Sequence, residues 1–515
     1  MRARNRTLVL GVTDPSVVDM KVQEQPLSGV FSWFSKSVQL ESSKQTDKVL
    51  DEIKTTEART GASGGGAYAT EVSDIDRAAK LMRLPSGILL ATLERRSVND
   101  RVTVFLQFRW GAPQGMAALP AWRALGPSLL SVDVNGLTPL NAEQIAFLTA
   151  KIQARLSYLP SPQGFTVALD VPRERLQIAL QLLRDQMRAP VLPGWAFDFL
   201  QTHELARLAE SKHDPQWASE LARQHRMAAL GLQQGQPGYV DSAAELIEIW
   251  KHLDIEAVRD YWKRYWSAND LRIGAVGPLP ENFLGMIELY FGDWKKPQAP
   301  AFERWVPSFK PEEGARFVSA REPGKADLDK SHASAQVHWS QGFALNADDE
   351  DAAAMTVGAR ILAGGDIGGS RLTDRLRGHD AMSYSVDYSL DLPQQGNAAM
   401  LSLNASASPA NALRVEAAMR EELARLRERG ITQAELDAAR HELREERRRA
   451  LSSDIALAAT LLAQLEQTDD FAQDEARHLA ALDALTVERV DAALRRLLMP
   501  DRWVIVITEA DSTDQ

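Results

Sequence analysis

Cysteine is absent from all 515 residues. That absence excludes disulfide scaffolds, thiolate zinc sites, iron–sulfur clusters and cysteine nucleophiles, and leaves the compartment open. Long apolar runs are missing as well: nothing approaches the roughly 18 uninterrupted apolar residues of a spanning helix. The first residues, MRARNR, are basic, but the apolar run Thr7–Val12 is short and is closed by Asp14-Pro15. A secretory signal with roughly 7–15 apolar residues and a small-residue cleavage site is therefore not expected. Basic charge is scarce. Lys+Arg is 59 against Asp+Glu 70, so the formal charge is −11, and no clustered basic surface for a nucleic acid is expected. What is present is ordinary for a soluble chain, with 44% hydrophobic and 25% charged residues. At about 150 residues per domain, the length predicts two to four domains.

One low-complexity tract, GASGGGAY (Gly61–Tyr68), reads as a flexible connector. Residues 15–60 before it are polar and weakly periodic apart from Phe31, Trp33 and Phe34, and read as an arm with one helix at most. Further on, two long blocks resemble each other. LDIEAVRDYWKRYWSANDLRI from Leu253 aligns without a gap with LTVERVDAALRRLLMPDRWVI from Leu485, an offset of 485 − 253 = 232. The same offset carries Gln163-Gly164 onto Gln395-Gly396, each opening an alternating strand. The first strand places Phe165, Val167, Leu169 and Val171 on one face, and the second Ala399, Leu401 and Leu403. Two distant segments with one offset point to an internal duplication.

The expected organisation is an arm and linker over 1–74, a first unit over 75–300, a linker over 301–314 and a second unit over 315–515. Each unit mixes periodicities. Arg101–Gly111 and Ser334–Ala344 read as strands. Leu176, Leu180, Leu183 and Met187 form a helical stripe, and Glu435–Leu451 reads as a long charged helix. The fold class predicted is α+β, each unit a mainly antiparallel sheet covered by helices. Asn5–Asp14 has the form of the last strand, Asp501–Asp511. It reads either as an ordinary strand or as the closing strand of an upstream unit that the chain lacks.

Nine histidines are available for metal, and none is spaced to bind it. His203-Glu204 and His441-Glu442 begin like HExxH, but positions 207 and 445 are Arg and Glu. A helix needs both ligands at i and i+4 to grip one zinc. The glycine-rich run Leu362–Gly378 ends Gly-Ser-Arg without a lysine, so it is no phosphate loop. It reads as a tight connection in which Ser370 caps a short helix, Arg371–Arg377, that Gly378 ends. Seven residues after Arg377 comes Tyr384, opening an alternating segment with Val386 and Tyr388. A guanidinium and a phenol then meet at one sheet edge. Both donate hydrogen bonds, a pairing suited to a peptide carbonyl or a developing oxyanion. Composition alone favours an ordinary surface arginine and sheet tyrosine.

GGSRLTDRLRGHDAMSYSV resembles the pattern G-x-x-S-R-L-x-x-x-L-R-x-x-x-G-L-A/S-Y-S-V of the pitrilysin/insulinase family of zinc metallopeptidases. The repeated stretch from Leu253 through Tyr290-Phe291-Gly292-Asp293-Trp294 resembles a second motif of that family. The resemblance implies four homologous units enclosing a chamber for unfolded peptides. The first unit would carry HxxEH and a downstream Glu for zinc, the last an Arg/Tyr pair that reaches the substrate. On that basis this chain resembles the last two units. Gly111–Leu130 offers no His or Glu where HxxEH would stand, while Arg377 and Tyr384 match the pair. One departure is that the family's Gly-Leu is here Ala381-Met382, which restricts the backbone before Tyr384.

The implied function is a non-catalytic half or subunit that contacts substrate through Arg377 and Tyr384. The chain holds no catalytic residue, metal or cofactor of its own. Zinc and the general base would come from an HxxEH-bearing catalytic subunit or N-terminal half, with unfolded peptide as the other partner. The alternative is a catalytically inactive peptide-binding or assembly subunit with the same fold. The compartment would be periplasmic if an upstream half carries a signal, and cytoplasmic otherwise.

Overall fold

The computed structural model describes residues 75, 78–125, 142–161, 163–188, 194–213, 217–321, 334–364, 369–465 and 471–510. The expected arm, strand Asn5–Asp14 and connector Gly61–Tyr68 lie outside the described residues.

Eleven strands among the described residues form two sheets. The first holds β1 (Ala79–Arg83), β2 (Leu89–Glu94), β3 (Arg101–Arg109), β4 (Arg155–Ser161), β5 (Gly164–Pro172) and β6 (Asp270–Gly277). The second holds β7 (Ala315–Arg321), β8 (Ala335–Ala344), β9 (Ser383–Asp391), β10 (Ala398–Ala407) and β11 (Val504–Ala510). Their orders are β1-β2-β6-β3-β5-β4 and β7-β11-β8-β10-β9. All neighbours are antiparallel except β2 with β6 and β7 with β11. The fold class is as expected from periodicity. From β2 onward the two orders coincide. The offset of 232 relates Arg272 of β6 to Val504 of β11. Following the ladders through Gln107 and Ser340, however, sets Thr166 of β5 against Ser402 of β10, an offset of 402 − 166 = 236. The strands that Gly164 and the Gln395-Gly396 pair open therefore do not keep the register expected from sequence.

Alternation decides the faces. Val102, Val104, Leu106 and Phe108 of β3 join Phe165, Val167, Leu169 and Val171 of β5, all buried against Leu176, Leu180, Leu183 and Met187 of the Leu176–Arg188 helix. On the second sheet Ala399, Leu401 and Leu403 meet the Ala352–Ala363, Ala412–Arg429 and Val487–Leu497 helices. Each such Leu, Val or Phe contributes roughly 1.5–3 kcal/mol by leaving water.

The opposite face of each sheet is covered by a helix from the other half of the chain. The Asp454–Gln464 helix lays Leu457, Ala458, Leu461 and Leu462 on Ala91, Leu93, Phe105 and Val276 of the first sheet. In the reverse direction, Ala218 and Ala222 of the Trp217–Ala229 helix cover Val504 and Val506 of the second. Gly274 explains how closely the first helix sits: a Cβ there would lie 2.2 Å from the Ala458 carbonyl oxygen. Both ends of that helix are held by arginines of the first sheet's half. Arg95, buried, donates to the Leu451 and Ser452 carbonyls at 3.1 and 3.2 Å and pairs with Asp454 at 2.6 Å. Arg272 donates to the Leu465 carbonyl at 2.8 Å.

Residues 301–314 between the sheets form no helix or strand, yet they are held on both sides. Buried Gln163 donates to the Glu303 carbonyl at 2.6 Å and accepts from the Trp305 amide at 3.0 Å. Asn397 accepts from the Phe309 amide at 2.8 Å.

His338 of β8 sits under the exchanged Trp217–Ala229 helix. Its Nδ1 lies 2.6 Å from Asn404 Oδ1 and 3.3 Å from Ser219 Oγ. Burial pushes its pKa below the ordinary 6.5, and the neighbouring Arg226 acts in the same direction. Below pH 6.5 the unfolded chain therefore takes up a proton that the folded chain resists. Stability is complete above that pH and falls as pH drops, by up to about 1.4 kcal/mol per pH unit. His338→Gln should flatten the decline of the urea midpoint between pH 7.5 and 5.5. An unchanged slope would show that another group governs the acid limb.

Candidate functional site

The segment that carries Arg377 and Tyr384 starts at Ser370. Its extended backbone and side chain cap the Arg371–Thr373 turn, accepting from the Thr373 amide, as the sequence predicts. The helix then widens into a π segment, Asp374–His379, which ends at Asp380. Gly378 therefore does not end the helix as expected; it lies inside the wide turn. The physical reason is that the turn closes later, where the Asp380 amide donates to the Arg375 carbonyl at 2.9 Å and the Met382 amide to the Leu376 carbonyl at 2.8 Å. Buried Leu372 and Leu376 anchor the inner side. Widened turns of this kind recur at functional sites.

Ala381 links the π segment to β9 in the left-handed region, at φ 48°. This is where the resemblance read from the sequence has glycine. A side chain there costs roughly 1–2 kcal/mol of backbone strain. Ala381→Gly should relieve it and, after the entropy glycine loses on folding, raise stability by about 0.5 kcal/mol. A lowered denaturation midpoint would show that the alanine methyl group makes a compensating contact.

Arg377 is exposed on the π segment, and Tyr384 is 61% exposed at the start of β9. Neither is engaged in an ion pair, whereas the arginines around them are heavily paired. Arg371 grips Glu435 at 2.6 Å and the Gly430 carbonyl at 2.8 Å. Arg375 is held by Glu421 at 2.7 Å and Asp380 at 3.0 Å, and those carboxylates raise its pKa. Arg360 pairs with Glu446 at 2.8 Å and Glu442 at 3.1 Å. Three arginines thus build the corner, and a fourth stands off it with a phenol seven residues away. Sequence reasoning singled out Arg377 and Tyr384 and did not anticipate the paired arginines around them. Glu435 could have signalled this, because its Oε2 closes a capping box with Thr432 and its Oε1 is left to accept from Arg371 Nε.

The histidine-glutamate fragments are not arranged as metal ligands. His203 is exposed with Nδ1 3.6 Å from Glu204, and Glu442 is committed to Arg360. Among the described residues no group of three His, Asp or Glu side chains is placed to hold a metal ion. The Pro113–Ala117 and Pro120–Leu125 helices, where zinc ligands would stand, bring none. The described residues therefore do not fit a zinc site.

Residues 252–443, which include Arg377 and Tyr384, match the family model described as the peptidase M16 inactive domain. The chain carries the M16 inactive-domain fold. An M16 inactive domain from Pseudomonas fluorescens superposes with a TM-score of 0.66 at 18% identity, covering 85% of this chain and 99% of that one. The periplasmic protease PqqL from Escherichia coli gives 0.57 at 16% identity, over 85% of this chain and 46% of that one. The ferredoxin protease FusC, solved with Arabidopsis ferredoxin, gives 0.60 at 17%, over 87% and 46%. No curated protein matches the sequence. The M16 inactive-domain match begins in the last helices of the first half and ends on the Gln433–Ser452 helix, so it straddles both sheets. No helix among the described residues is long and apolar enough to cross a membrane.

Proposed function

We propose that this chain is the non-catalytic half, or a separate non-catalytic subunit, of an M16-type zinc metallopeptidase. It forms half of a chamber for unfolded peptide and offers Arg377 and Tyr384 to the substrate as paired donors. An HxxEH-bearing partner or N-terminal half supplies zinc and the general base. The observation that carries this reading is the exposed, unengaged Arg377 and Tyr384 on a corner whose other arginines are all paired. Two proteases of the same fold are about twice as long, which fits a chain that is one half of such an enzyme. The common strand order of the two sheets supports an origin by duplication.

The isolated chain is expected to bind no stoichiometric zinc and to cleave no peptide, because no ligand constellation exists to hold the ion. Metal analysis that finds one tightly held zinc per chain overturns the reading. Purification of the tagged chain from its own cells should recover an HxxEH-bearing partner, and the complex should cleave unfolded peptide. A recovered complex that binds peptide without cleaving it identifies the assembly-subunit alternative instead.

A further inference from the structure

Tyr384 stands where alternation would bury it. Met382 and Val386 on either side are 5% and 9% exposed, and Tyr388 and Leu390 further along β9 pack against the second core, yet Tyr384 is 61% exposed. The pairing with β10 explains the exception. Leu401, Leu403 and Ala405 face Leu390, Tyr388 and Val386 in step, and Ser406 faces Ser385. The partner of Ala407 is then Ser383 and not Tyr384. Tyr384 is therefore the extra residue of a β-bulge, with no partner across this ladder. In an unbroken register it would lie opposite Ala407, which is fully buried on the core face. A bulge bends its strand and re-aims the side chain it carries. Here it takes the phenol out of the core.

Something must hold the register at this step, because closing the bulge would exchange an exposed ring for a buried one. The Ser383 hydroxyl does. Its Oγ lies 2.7 Å from the Ser385 carbonyl oxygen and 2.7 Å from the Ser406 carbonyl oxygen, so it donates to either and spans the unpaired residue. A short donor just before the bulge reaches the carbonyl just after it, a link that serine makes readily and alanine cannot. Beyond it, Ser385 Oγ and Ser406 Oγ stand 2.6 Å apart and close the first regular rung. Upstream, Ala381 at φ 48° and the Met382 amide bonded to the Leu376 carbonyl fix the entry of the strand. We propose that Ser383 is a positioning residue: its hydroxyl holds the bulge that presents the Tyr384 phenol to the peptide. This rests on the reading of Tyr384 as a substrate contact. Ser383 itself touches no peptide in this role and acts through the tyrosine.

Fluorotyrosine labelling of the full-length chain marks its 8 tyrosines, and Tyr384→Phe identifies the fluorine line of Tyr384. That line should show the large solvent isotope shift of an exposed ring. In Ser383→Ala it should move or split and lose much of that isotope shift, while the other lines stay those of the folded chain. Ser383→Thr, which keeps the hydroxyl, should restore it. Ser383→Val, which has the shape of Ser383→Thr without the hydroxyl, makes the same comparison where Ser383→Ala costs the fold. In the proposed partner-bound peptidase, Ser383→Ala should lower turnover about 10- to 100-fold, and Ser383→Thr should again restore it. The double variant with Tyr384→Phe should lose no more than Tyr384→Phe alone. A Tyr384 line that stays in place in both hydroxyl-free variants overturns the proposal. So does a turnover loss that adds to that of Tyr384→Phe. Turnover indifferent to Tyr384→Phe and Ser383→Ala alike overturns the substrate role of the pair instead, and the fluorine line still decides whether Ser383 holds the phenol.

Discussion

Replacing Arg377 by alanine, or Tyr384 by phenylalanine, in the proposed partner-bound peptidase is expected to cut peptide turnover about 10- to 1000-fold. That is the scale of removing one positioned donor from a developing oxyanion in a site shielded from water. The fold should not suffer. Arg377 is exposed and unpaired, and phenylalanine keeps the ring of the 61%-exposed Tyr384 while removing only its hydroxyl. The split between constants says what the pair does. A fall in kcat with KM steady means that the donors act on the charge that develops during reaction; a rise in KM with kcat steady means that they hold the peptide. Unchanged turnover in both variants would reduce them to ordinary surface residues. Arg375→Ala is the useful contrast. Its losses should be in stability first, because Arg375 ties the π segment to Glu421 and closes on Asp380.

Arg95→Met should destabilise the folded chain by about 3–5 kcal/mol, the cost of leaving one member of a buried ion pair alone. Arg95 is 1% exposed and serves three acceptors at once: two carbonyls at the end of the Gln433–Ser452 helix and the Asp454 carboxylate. Burial already pushes the Asp454 pKa up against the pull of Arg95. Without the guanidinium, that carboxylate takes up a proton or draws water into the seam. The double variant Arg95→Met with Asp454→Leu should recover a large part of the loss, since no unpaired charge then remains. Urea denaturation of the two variants measures this directly. A single-variant loss below about 1 kcal/mol would place the pair among weakly contributing surface bridges.

The sheets were legible because alternation is a strong signal when one face is buried. Phe165, Val167, Leu169 and Val171, and again Ala399, Leu401 and Leu403, announce their core faces two residues at a time. The Arg377–Tyr384 corner was legible because Ser370 is a strong cap and the alternation resumes at Ser383. The end of the turn was not. Gly378 carries the usual signal for a stop, but a π segment closes on bonds five residues apart and runs past it to His379. The exchange of helices was also invisible. Nothing in the composition of Asp454–Gln464 says which sheet it covers, because its apolar stripe would fit either. Only the fit of Ala458 against Gly274, and Arg95 at its end, assigns it to the first sheet.

That exchange sets the timetable of synthesis. The strands of the first sheet are complete when the ribosome has passed Gly277, but the helix that seals Ala91, Leu93, Phe105 and Val276 begins at Asp454, and 454 − 277 is 177 residues later. At roughly 5–20 residues per second, the nascent sheet waits about 9–35 s with an oily face bare. During that interval it is a client for holdase chaperones and a target for misassembly with neighbouring nascent chains. A truncation before residue 454 would make the interval permanent, so nonsense fragments of this length should emerge as aggregates rather than as a working first unit.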